Sequence, residues 1–393
     1  MTLNKRWAVL ALTLLTTTVG MMGFAATFPL LNLWIQDLGI TRAEGGLLSG
    51  FWYLPGIVIS LPAGWAFDRY PIRRVLLGCW VLMVAGTALM AVAPTFWVLC
   101  LGRLVFSIGM NAHMIGAPKL LGSWFVGRRE LGFVMGIYTM AFTAGVFLSL
   151  NLLGSVGAAE GWRRAMQLLT GLTVVGAVLL LLIPASPSRP ESAGHPAPRF
   201  NPFALGAGAW VLAIAYFGFS IGTEALLTFG PDALVGRGYD VARASAIVGS
   251  YAVVALILKP ILSSQLRQTT AFAFVACAVV AAVVAASGFA ASGVSPSVSA
   301  AVLGVSLAFG MPAFLSLPSF LFPADRSGQV YGLYQTLYSL GFVAQPVVGL
   351  VVDRTGSYPA GFAVVAGYCL IGLLVMVPMV RRLKAHTSYI KTL

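Results

Sequence analysis

Twelve long apolar runs follow one another along this chain of 393 residues, and each is long enough to cross a lipid bilayer as a helix. A spanning helix needs about 20 apolar residues, because the hydrocarbon core is about 30 Å thick and a helix rises 1.5 Å per residue. Short breaks rich in glycine, proline and charged residues separate the runs. We predict spans 1 to 12 at residues 7–34, 45–67, 75–93, 96–117, 132–154, 165–184, 204–229, 244–264, 270–289, 298–320, 331–351 and 360–380.

The composition agrees with a membrane protein. Charged residues make up 9% of the chain and hydrophobic residues 59%, whereas about 25% of the residues of a soluble protein are charged. This excludes a soluble enzyme, a DNA-binding domain and a disordered chain. The first run has an alternative interpretation as a secretory signal peptide, since Lys5 and Arg6 precede it. Its continuation to Trp34 favours a membrane span instead.

The basic residues are distributed unevenly between the two sides of the membrane. With the N-terminus inside, sixteen of the 24 lysine and arginine residues fall on the cytoplasmic side and six on the outer side. Cytoplasmic loops are enriched in these residues, so we predict that both termini are cytoplasmic. Much of the net charge of +13 is therefore a topology signal and implies no nucleic-acid partner. The remaining two of the 24 lysine and arginine residues, Arg103 and Lys259, lie inside predicted spans.

A proline-rich break divides the chain almost in the middle. It contains five prolines, and we predict an N-terminal six-helix bundle at 1–184, a cytoplasmic linker at 185–203 and a C-terminal six-helix bundle at 204–393. The halves also share a short repeat at an offset of 196 residues. Its members are Gly132, Gly136, Tyr138 and Gly145 in the first half, and Gly328, Gly332, Tyr334 and Gly341 in the second. Their matching positions favour a duplication of six helices.

The break between spans 2 and 3 carries a glycine, an Asp-Arg pair and a basic pair in fixed order. These residues are Gly64, Asp68, Arg69, Arg73 and Arg74. The pattern resembles the most diagnostic loop of the major facilitator superfamily. The resemblance implies that the aspartate closes the cytoplasmic side by pairing with basic groups and a helix N-terminus. The other interpretation is a positive-inside loop with an incidental aspartate.

A second pattern places Arg103 in span 4 with Gly109 six residues later, and it is similar to an arginine-bearing motif of the same superfamily. The resemblance extends over the whole chain. It implies an all-α integral membrane protein with 12 transmembrane helices in two pseudo-symmetric six-helix bundles. It also implies a solute site between the bundles near the midplane, with access that alternates as the bundles rock.

The branch of the superfamily is indicated by two further stretches. Span 5 lacks the Gly-Pro pair of drug/proton antiporters over 136–146. Residues 117–136, which join spans 4 and 5, resemble the connection between the fourth and fifth helices of monocarboxylate and nitrate/cyanate-type anion transporters. Lys259-Pro260 falls where the monocarboxylate group carries Arg-Pro, whose guanidinium holds the carboxylate. This chain departs from that group in having Lys259 for arginine, Ala255 for an acidic residue and Leu30 for a lysine.

Ionisable groups inside spans are costly and mark candidate functional sites. Arg103 is either an anion anchor or proton relay, or a brace to backbone carbonyls or to Glu224. Lys259 either contacts a substrate anion or extends to the membrane surface. Glu224 in span 7 is a candidate proton carrier, and its alternative is a place in a wet outer vestibule. His113 in span 4 is a second candidate proton carrier, with helix packing as its alternative.

Two polar surfaces complete the candidate substrate site. The predicted span 11 has a face of aromatic and amide side chains, spaced alternately by four and three residues: Tyr331, Gln335, Tyr338, Phe342 and Gln345. Lining of a cavity is our interpretation of this face, and helix packing with satisfied hydrogen bonds is the alternative. Tyr331, Gln335, Tyr338 and, from span 4, Asn111 are therefore candidate substrate ligands.

The sequence has no Cys/His cluster spaced for a metal and no phosphate-binding loop, so we expect no cofactor, no direct use of ATP and no enzymatic activity. We expect a monomeric secondary transporter in a bacterial-type inner membrane. Its expected solute is a small organic or inorganic anion such as a monocarboxylate, with proton symport as the simplest coupling scheme and uniport left open. The alternatives are a proton-driven exporter of drugs or amphipathic metabolites and a non-transporting membrane receptor.

Overall fold

The computed structural model describes residues 2–125, 130–184, 205–291, 293–322 and 324–391. Within these ranges every regular element is a helix. The predicted linker at 185–203 lies outside the described residues, as do Arg128 and Arg129 at the inner end of span 5.

The first half contains nine α-helices and one π-helical turn among its described residues. They are α1 (Thr2–Phe24), α2 (Thr27–Leu38), α3 (Arg42–Gly50), α4 (Leu54–Arg69), α5 (Ile72–Ala91), α6 (Phe96–Phe125), α7 (Leu131–Leu148), the π-helical turn (Ser149–Leu153), α8 (Gly154–Glu160) and α9 (Trp162–Leu181). Span 1 is α1 with α2, span 2 is α3 with α4, and span 5 runs from α7 to α8. Spans 3, 4 and 6 are the single helices α5, α6 and α9.

The second half contains eight α-helices among its described residues. They are α10 (Ala207–Val235), α11 (Val241–Gly249), α12 (Tyr251–Gln265), α13 (Gln268–Ala290), α14 (Pro296–Leu321), α15 (Ala324–Tyr338), α16 (Gly341–Thr355) and α17 (Tyr358–Lys391). Span 7 is α10, span 8 is α11 with α12, and spans 9 and 10 are α13 and α14. Span 11 is α15 with α16, and span 12 is α17.

The prediction of twelve helical spans is confirmed. In the described part of the chain, eleven stretches are long and apolar enough to cross a membrane. The remaining span, span 2, consists of α3 and α4 joined by a turn at 51–53. Three helices extend well past the predicted ends of their spans: α6 continues to Phe125, α17 to Lys391, and α10 through Pro231 to Val235, so that α10 includes Asp232.

Several spans are interrupted, which the apolar runs did not predict. Span 1 breaks at Ala25 and Ala26, span 2 at 51–53, and span 11 at Ser339 and Leu340. A π-helical turn lies within span 5. Irregular backbone at membrane depth is tolerated only where protein or a water-filled cavity surrounds it. The breaks therefore mark the interior of the bundle, where side chains must bind the released backbone groups.

The internal repeat corresponds to a repeated packing contact. A methyl group placed on Gly145 of span 5 would lie 2.5 Å from the carbonyl oxygen of Thr18 in span 1. A methyl group on Gly341 of span 11 would lie 2.6 Å from the side chain of Ile221 in span 7. Spans 5 and 11 thus approach spans 1 and 7 closely at equivalent places, as two related six-helix bundles require.

The two halves pack mainly through their outer portions in the described residues. On that side α3 lies against α16, α8 against α11, and α2 against α10. The inner portions α4 with α15 and α7 with α12 contact each other much less. The bundle is accordingly closed on the outer side and opens toward the side that carries most of the basic residues.

Close packing of spans 3 and 4 depends on glycine, and this gives a stability prediction. A methyl group on Gly86 would lie 2.4 Å from the backbone nitrogen of Phe106, whereas one on Gly78 in the same helix would meet nothing within 4 Å. We expect Gly86→Ala to destabilise the protein by about 1–3 kcal/mol, as overpacking does. Gly78→Ala should leave stability unchanged or slightly higher, since alanine favours helix.

Thermal unfolding of both variants in detergent checks this prediction. A clearly lower midpoint for Gly86→Ala than for Gly78→Ala is expected. Equal midpoints would show that the two helices do not pack as closely as described.

Candidate functional site

Glu224 of α10 joins the two halves of the protein in the middle of the bundle. Its carboxylate accepts a hydrogen bond from the hydroxyl of Tyr53, which lies in the break of span 2. It accepts another from the hydroxyl of Tyr338 at the end of α15. The two tyrosine rings meet edge to face, with centroids 4.9 Å apart. Tyr53 belongs to the first half and Tyr338 to the second, so one carboxylate connects both.

An aromatic wall continues from this carboxylate on the second half. The ring of Tyr216, two turns before Glu224 on α10, stacks on Tyr334 at a centroid distance of 4.6 Å. It also lies 6.1 Å from the ring of Tyr338. Tyr331 donates its hydroxyl to the carbonyl of Leu315. The predicted aromatic face of span 11 therefore packs partly against span 7 and partly faces the first half.

A second group of polar side chains surrounds Gly56 of α4. A methyl group placed on Gly56 would lie 3.3 Å from Asn111 Oδ1, 3.4 Å from Gln335 Nε2 and 3.6 Å from Ser339 Oγ. Asn111 also donates to the carbonyl of Trp52, at 3.2 Å, in the break of span 2. The structure thus brings together Asn111 from one half and Gln335 from the other. Gln335 is exposed, which places it beside the space between the halves.

Arg103 binds the end of the first helix. Its two terminal nitrogens donate to the carbonyl oxygens of Gly23 and Phe24, each at 2.7 Å. These are the last residues of α1, where the regular helical hydrogen bonding of span 1 ends, and Gly23 O also accepts the backbone N–H of Ala26 at 3.4 Å. A cation is also favourable at a helix C-terminus. The side chain is 2% exposed, and in this conformation its hydrogen bonds go to backbone.

Lys259 extends across the interface between the halves. Its Nζ donates to Thr143 Oγ1 of span 5 at 2.7 Å, and the side chain is half-buried. Among the described residues no carboxylate lies within ion-pair distance of this ammonium group. Lys259 therefore points at the opposite half of the protein, and its partner within the described part of the chain is a hydroxyl.

His113 connects three spans of the first half. Trp80 Nε1 donates to His113 Nδ1 at 3.2 Å, and Nε2 lies 3.1 Å from Thr17 Oγ1. Since an indole N–H only donates, Nδ1 is the acceptor and Nε2 carries the hydrogen of the ring. The side chain is fully buried. Its described contacts lie within spans 1, 3 and 4, and it is not part of the Glu224 group.

The predicted cytoplasmic gate lies at the junction of α4 and α5. Gly64, Asp68 and Arg69 are on α4, and Arg73 and Arg74 are on the first turn of α5. Arg73 donates to the carbonyl of Leu181 at the end of α9, at 2.5 Å. Arg69 and Arg74 are exposed. The side chain of Asp68 lies outside the described residues, so its role stays a prediction.

Two groups of residues were missed from the sequence. Tyr53 was counted only as part of an apolar run, although Pro55 two residues later is a helix-start signal that marks a break. Asp232 lies beyond residue 229, the predicted end of span 7, yet α10 continues through Pro231, because proline in a long apolar run can be accommodated within a spanning helix. Its partner Arg42 is one of the six basic residues predicted on the outer side.

Twelve spans in two related halves, with polar groups concentrated between them, are the architecture of a membrane carrier. A sequence model of the Major Facilitator Superfamily matches residues 13–346, and the chain belongs to that superfamily. It is accordingly an integral, multi-pass membrane protein and a secondary transporter of small solutes, not an enzyme.

Similar proteins carry different solutes. The chain is 23% identical to the bovine lysosomal dipeptide transporter MFSD1, over 82% of this chain and 74% of that protein. It is 22% identical to a candidate tartrate transporter of Agrobacterium vitis, over 88% and 84%. It is 24% identical to SauU of Cupriavidus necator, a candidate sulfoacetate transporter, over 86% and 85%. The crystal structure of a mutant of the nucleoside transporter NupG has the same fold, with a TM-score of 0.78, 16% identity and coverage of 95% and 99%.

The contacts of Arg103 predict a loss of stability on substitution. Arg103→Gln should remove both guanidinium donors from the carbonyls of Gly23 and Phe24, at a cost of about 1–3 kcal/mol. Arg103→Lys should be intermediate, because an ammonium group lacks the fork of the guanidinium. Arg164→Gln is the matched control, since that side chain is 66% exposed. Thermal unfolding in detergent measures all three, and an unchanged midpoint for Arg103→Gln would contradict the bracing contact.

Proposed function

We propose that the solute is a small organic anion, such as a mono- or dicarboxylate, and that Lys259 binds its carboxylate. The observation that carries the proposal is the position of Lys259. Its ammonium group points from one half toward the other, is half-buried, and hydrogen bonds to Thr143 Oγ1. A charge removed from water in this way is costly unless it is paired. A carboxylate entering from the cytoplasmic opening supplies the missing partner.

The rest of the site fits the neutral part of such a solute. The amides of Asn111 and Gln335 and the hydroxyl of Ser339 converge on Gly56. Amide and hydroxyl groups bind the hydroxyls and carbonyls of a small organic acid without adding charge. Tyr216 and Tyr338 provide apolar surface beside them, and the buried Tyr334 supports the ring of Tyr216. Two further candidate ligands, Arg103 and Tyr331, bond to backbone in this conformation and therefore shape the site.

The relatives support the same class of solute. Tartrate and sulfoacetate, named for two of them, are small carboxylate anions. A dipeptide, named for a third, also ends in a carboxylate. Because identity is 22–24%, these names support the class of solute and not its identity.

We propose proton symport, with Glu224 as the carrier. The ionised carboxylate accepts hydrogen bonds from Tyr53 in one half and Tyr338 in the other. A proton on the carboxyl group turns one of its oxygens into a donor, which then competes with the phenol donors. Proton uptake thus weakens a contact between the halves, and separation of the halves exposes the group to protons. His113 is the less favoured carrier, because its ring is occupied by Trp80 and Thr17.

We further propose that the protein acts as a monomer in a bacterial-type inner membrane. One copy supplies both halves and hence the whole solute path. The site residues come from one chain, so no second copy is needed to complete it. The bacterial relatives named above support this location.

Substitution of Lys259 tests the anion site. In proteoliposomes, Lys259→Gln should lower uptake of the accepted anion at least tenfold, because a charge–charge contact is replaced by a neutral one. Candidate anions are radiolabelled lactate, tartrate and sulfoacetate, with a neutral nucleoside for comparison. Arg267→Gln is the matched control, since it removes an exposed positive charge eight residues after Lys259, just beyond the end of α12. Uptake by Lys259→Gln equal to that of the unmodified protein would overturn this assignment.

Substitution of Glu224 tests the coupling. Glu224→Gln keeps an acceptor for one tyrosine but cannot bind and release a proton. We expect it to lose accumulation driven by a pH gradient, while exchange of labelled for unlabelled solute across the membrane continues. Glu160→Gln is the control, because that carboxylate is exposed at the outer end of α8. Gradient-driven accumulation by Glu224→Gln would show that another group carries the proton or that transport is uncoupled.

The aromatic wall favours a second candidate function, the export of planar amphipathic compounds. Tyr216, which stacks on the buried Tyr334, and Tyr338 offer ring surface for a flat compound. The Lys259→Gln variant separates the two functions, because transport of a neutral planar compound does not depend on that ammonium group.

A further inference from the structure

The outer end of span 11 carries a short pattern that also occurs at the inner end of span 2. Gly349 is followed four residues later by Asp353-Arg354, just as Gly64 is followed by Asp68-Arg69. The two copies lie at opposite ends of the two spans that pack against each other between the halves. The first copy, in span 2, belongs to the predicted cytoplasmic gate, and the second copy, in span 11, lies on the outer side.

The aspartate of the second copy binds the start of span 2. Asp353 Oδ2 accepts the backbone N–H of Ala43 at 2.8 Å, and Oδ1 accepts that of Arg42 at 3.2 Å. These residues begin α3, whose first N–H groups have no partner within the helix. A carboxylate there is also favoured by the helix dipole. Asp353 belongs to the second half and α3 to the first, so this contact holds the halves together.

The glycine of the second copy allows the contact. A methyl group on Gly349 would lie 2.2 Å from the carbonyl oxygen of Arg42. On the facing helix, a methyl group on Gly46 would lie 2.7 Å from the carbonyl oxygen of Gln345. The backbones of α3 and α16 therefore touch without side chains between them. Both obstructing atoms belong to backbone, so a larger residue could be accommodated only if the helices moved apart.

A buried ion pair lies directly beside this contact. Arg42 Nε donates to Asp232 Oδ2 at 2.8 Å, and Asn32 Nδ2 donates to Asp232 Oδ1 at 2.9 Å. Tyr358 also donates its hydroxyl to Asp232, at 2.6 Å. The side chain of Asp232 is fully buried. Arg42 and Asn32 belong to the first half, so their bonds to Asp232 cross the interface between the halves. The bond from Tyr358 lies within the second half.

We propose that Gly349 and Asp353, with the Arg42–Asp232 pair, form an outer clamp that holds the carrier closed on its outer side. The clamp acts on the equilibrium between the two orientations and does not touch the solute. Opening to the outer side requires α16 to move away from the start of α3. This movement breaks the hydrogen bonds from the N–H groups of α3 to Asp353 and separates the buried pair of Arg42 and Asp232. The proposal is independent of which solute is carried and of whether protons are coupled.

Spin-label distances across the outer side test the clamp. Labels on Ala159→Cys and Ser297→Cys report the separation of the halves, since both positions are exposed at the outer ends of different halves. The background is Cys277→Ser, because Cys277 is exposed while Cys79, Cys100 and Cys369 are buried. Pulsed electron paramagnetic resonance of the labelled protein in nanodiscs then gives the distance distribution for each variant.

Two variants disrupt the clamp by different means. Asp353→Asn removes the charge at the start of α3, and Gly349→Ala forces the backbones apart. We expect each to increase the ratio of the longer to the shorter distance about tenfold, the factor that corresponds to the loss of one charged hydrogen bond. Using both keeps the test decisive if one variant does not fold, which size-exclusion chromatography reveals.

Two matched controls should leave the distribution unchanged. Asp37→Asn removes an outer aspartate whose partners, Trp162 at 2.8 Å and Arg163 at 2.7 Å, lie in its own half. Gly367→Ala adds a methyl group in span 12, where it meets nothing within 4 Å. Unchanged distances in the folded clamp variants would overturn the proposal. An equal shift in Asp37→Asn would also overturn it, because the effect would then not be specific to contacts between the halves.

Discussion

Every backbone polar group at membrane depth must find a partner inside the protein, because lipid offers none. The polar side chains of this chain are best understood from that constraint. Arg103 binds the carbonyls released where span 1 breaks, and Asn111 binds the carbonyl of Trp52 where span 2 breaks. Gln345 lies 3.5 Å from the carbonyl of Ile221. Several residues that look functional in the sequence thus support broken helices. Of the ionisable groups predicted inside the spans, Glu224 and Lys259 remain as those that bind across the interface.

The two halves are connected at three depths by chemically different contacts. Near the outer side there are ion pairs and a carboxylate at a helix start. In the middle a carboxylate accepts two phenols. Toward the inner side an ammonium group donates to one hydroxyl. Among the residues that the structure describes, the contacts become fewer from the outer to the inner side, so this part of the interface is held mainly at its outer end.

The sequence predicts the number, order and approximate bounds of the spans, because an apolar run of membrane length has few other structures available. It also predicts which residues deserve attention, since charges inside spans are rare. It leaves open whether Arg103 anchors an anion or braces backbone carbonyls, because nothing in the apolar run shows that span 1 breaks at Ala25. Asp232 was missed because the predicted apolar run of span 7 ends at residue 229, whereas α10 continues to Val235. Tyr53 acquires its role only from a partner 171 positions away in the chain, and periodicity carries no information at that separation.

The π-helical turn at Ser149–Leu153 bears on how span 5 should be compared between proteins. Such a turn holds one residue more than the α-helical turn it replaces. Since each residue turns an α-helix by about 100°, the extra residue sets the face that α8 presents to α11. Gly154 thereby meets Ser245 of the other half. The sequence of a relative that lacks this turn aligns correctly both before and after residues 149–153 only if a gap of one residue is placed there, inside a membrane helix and far from any loop.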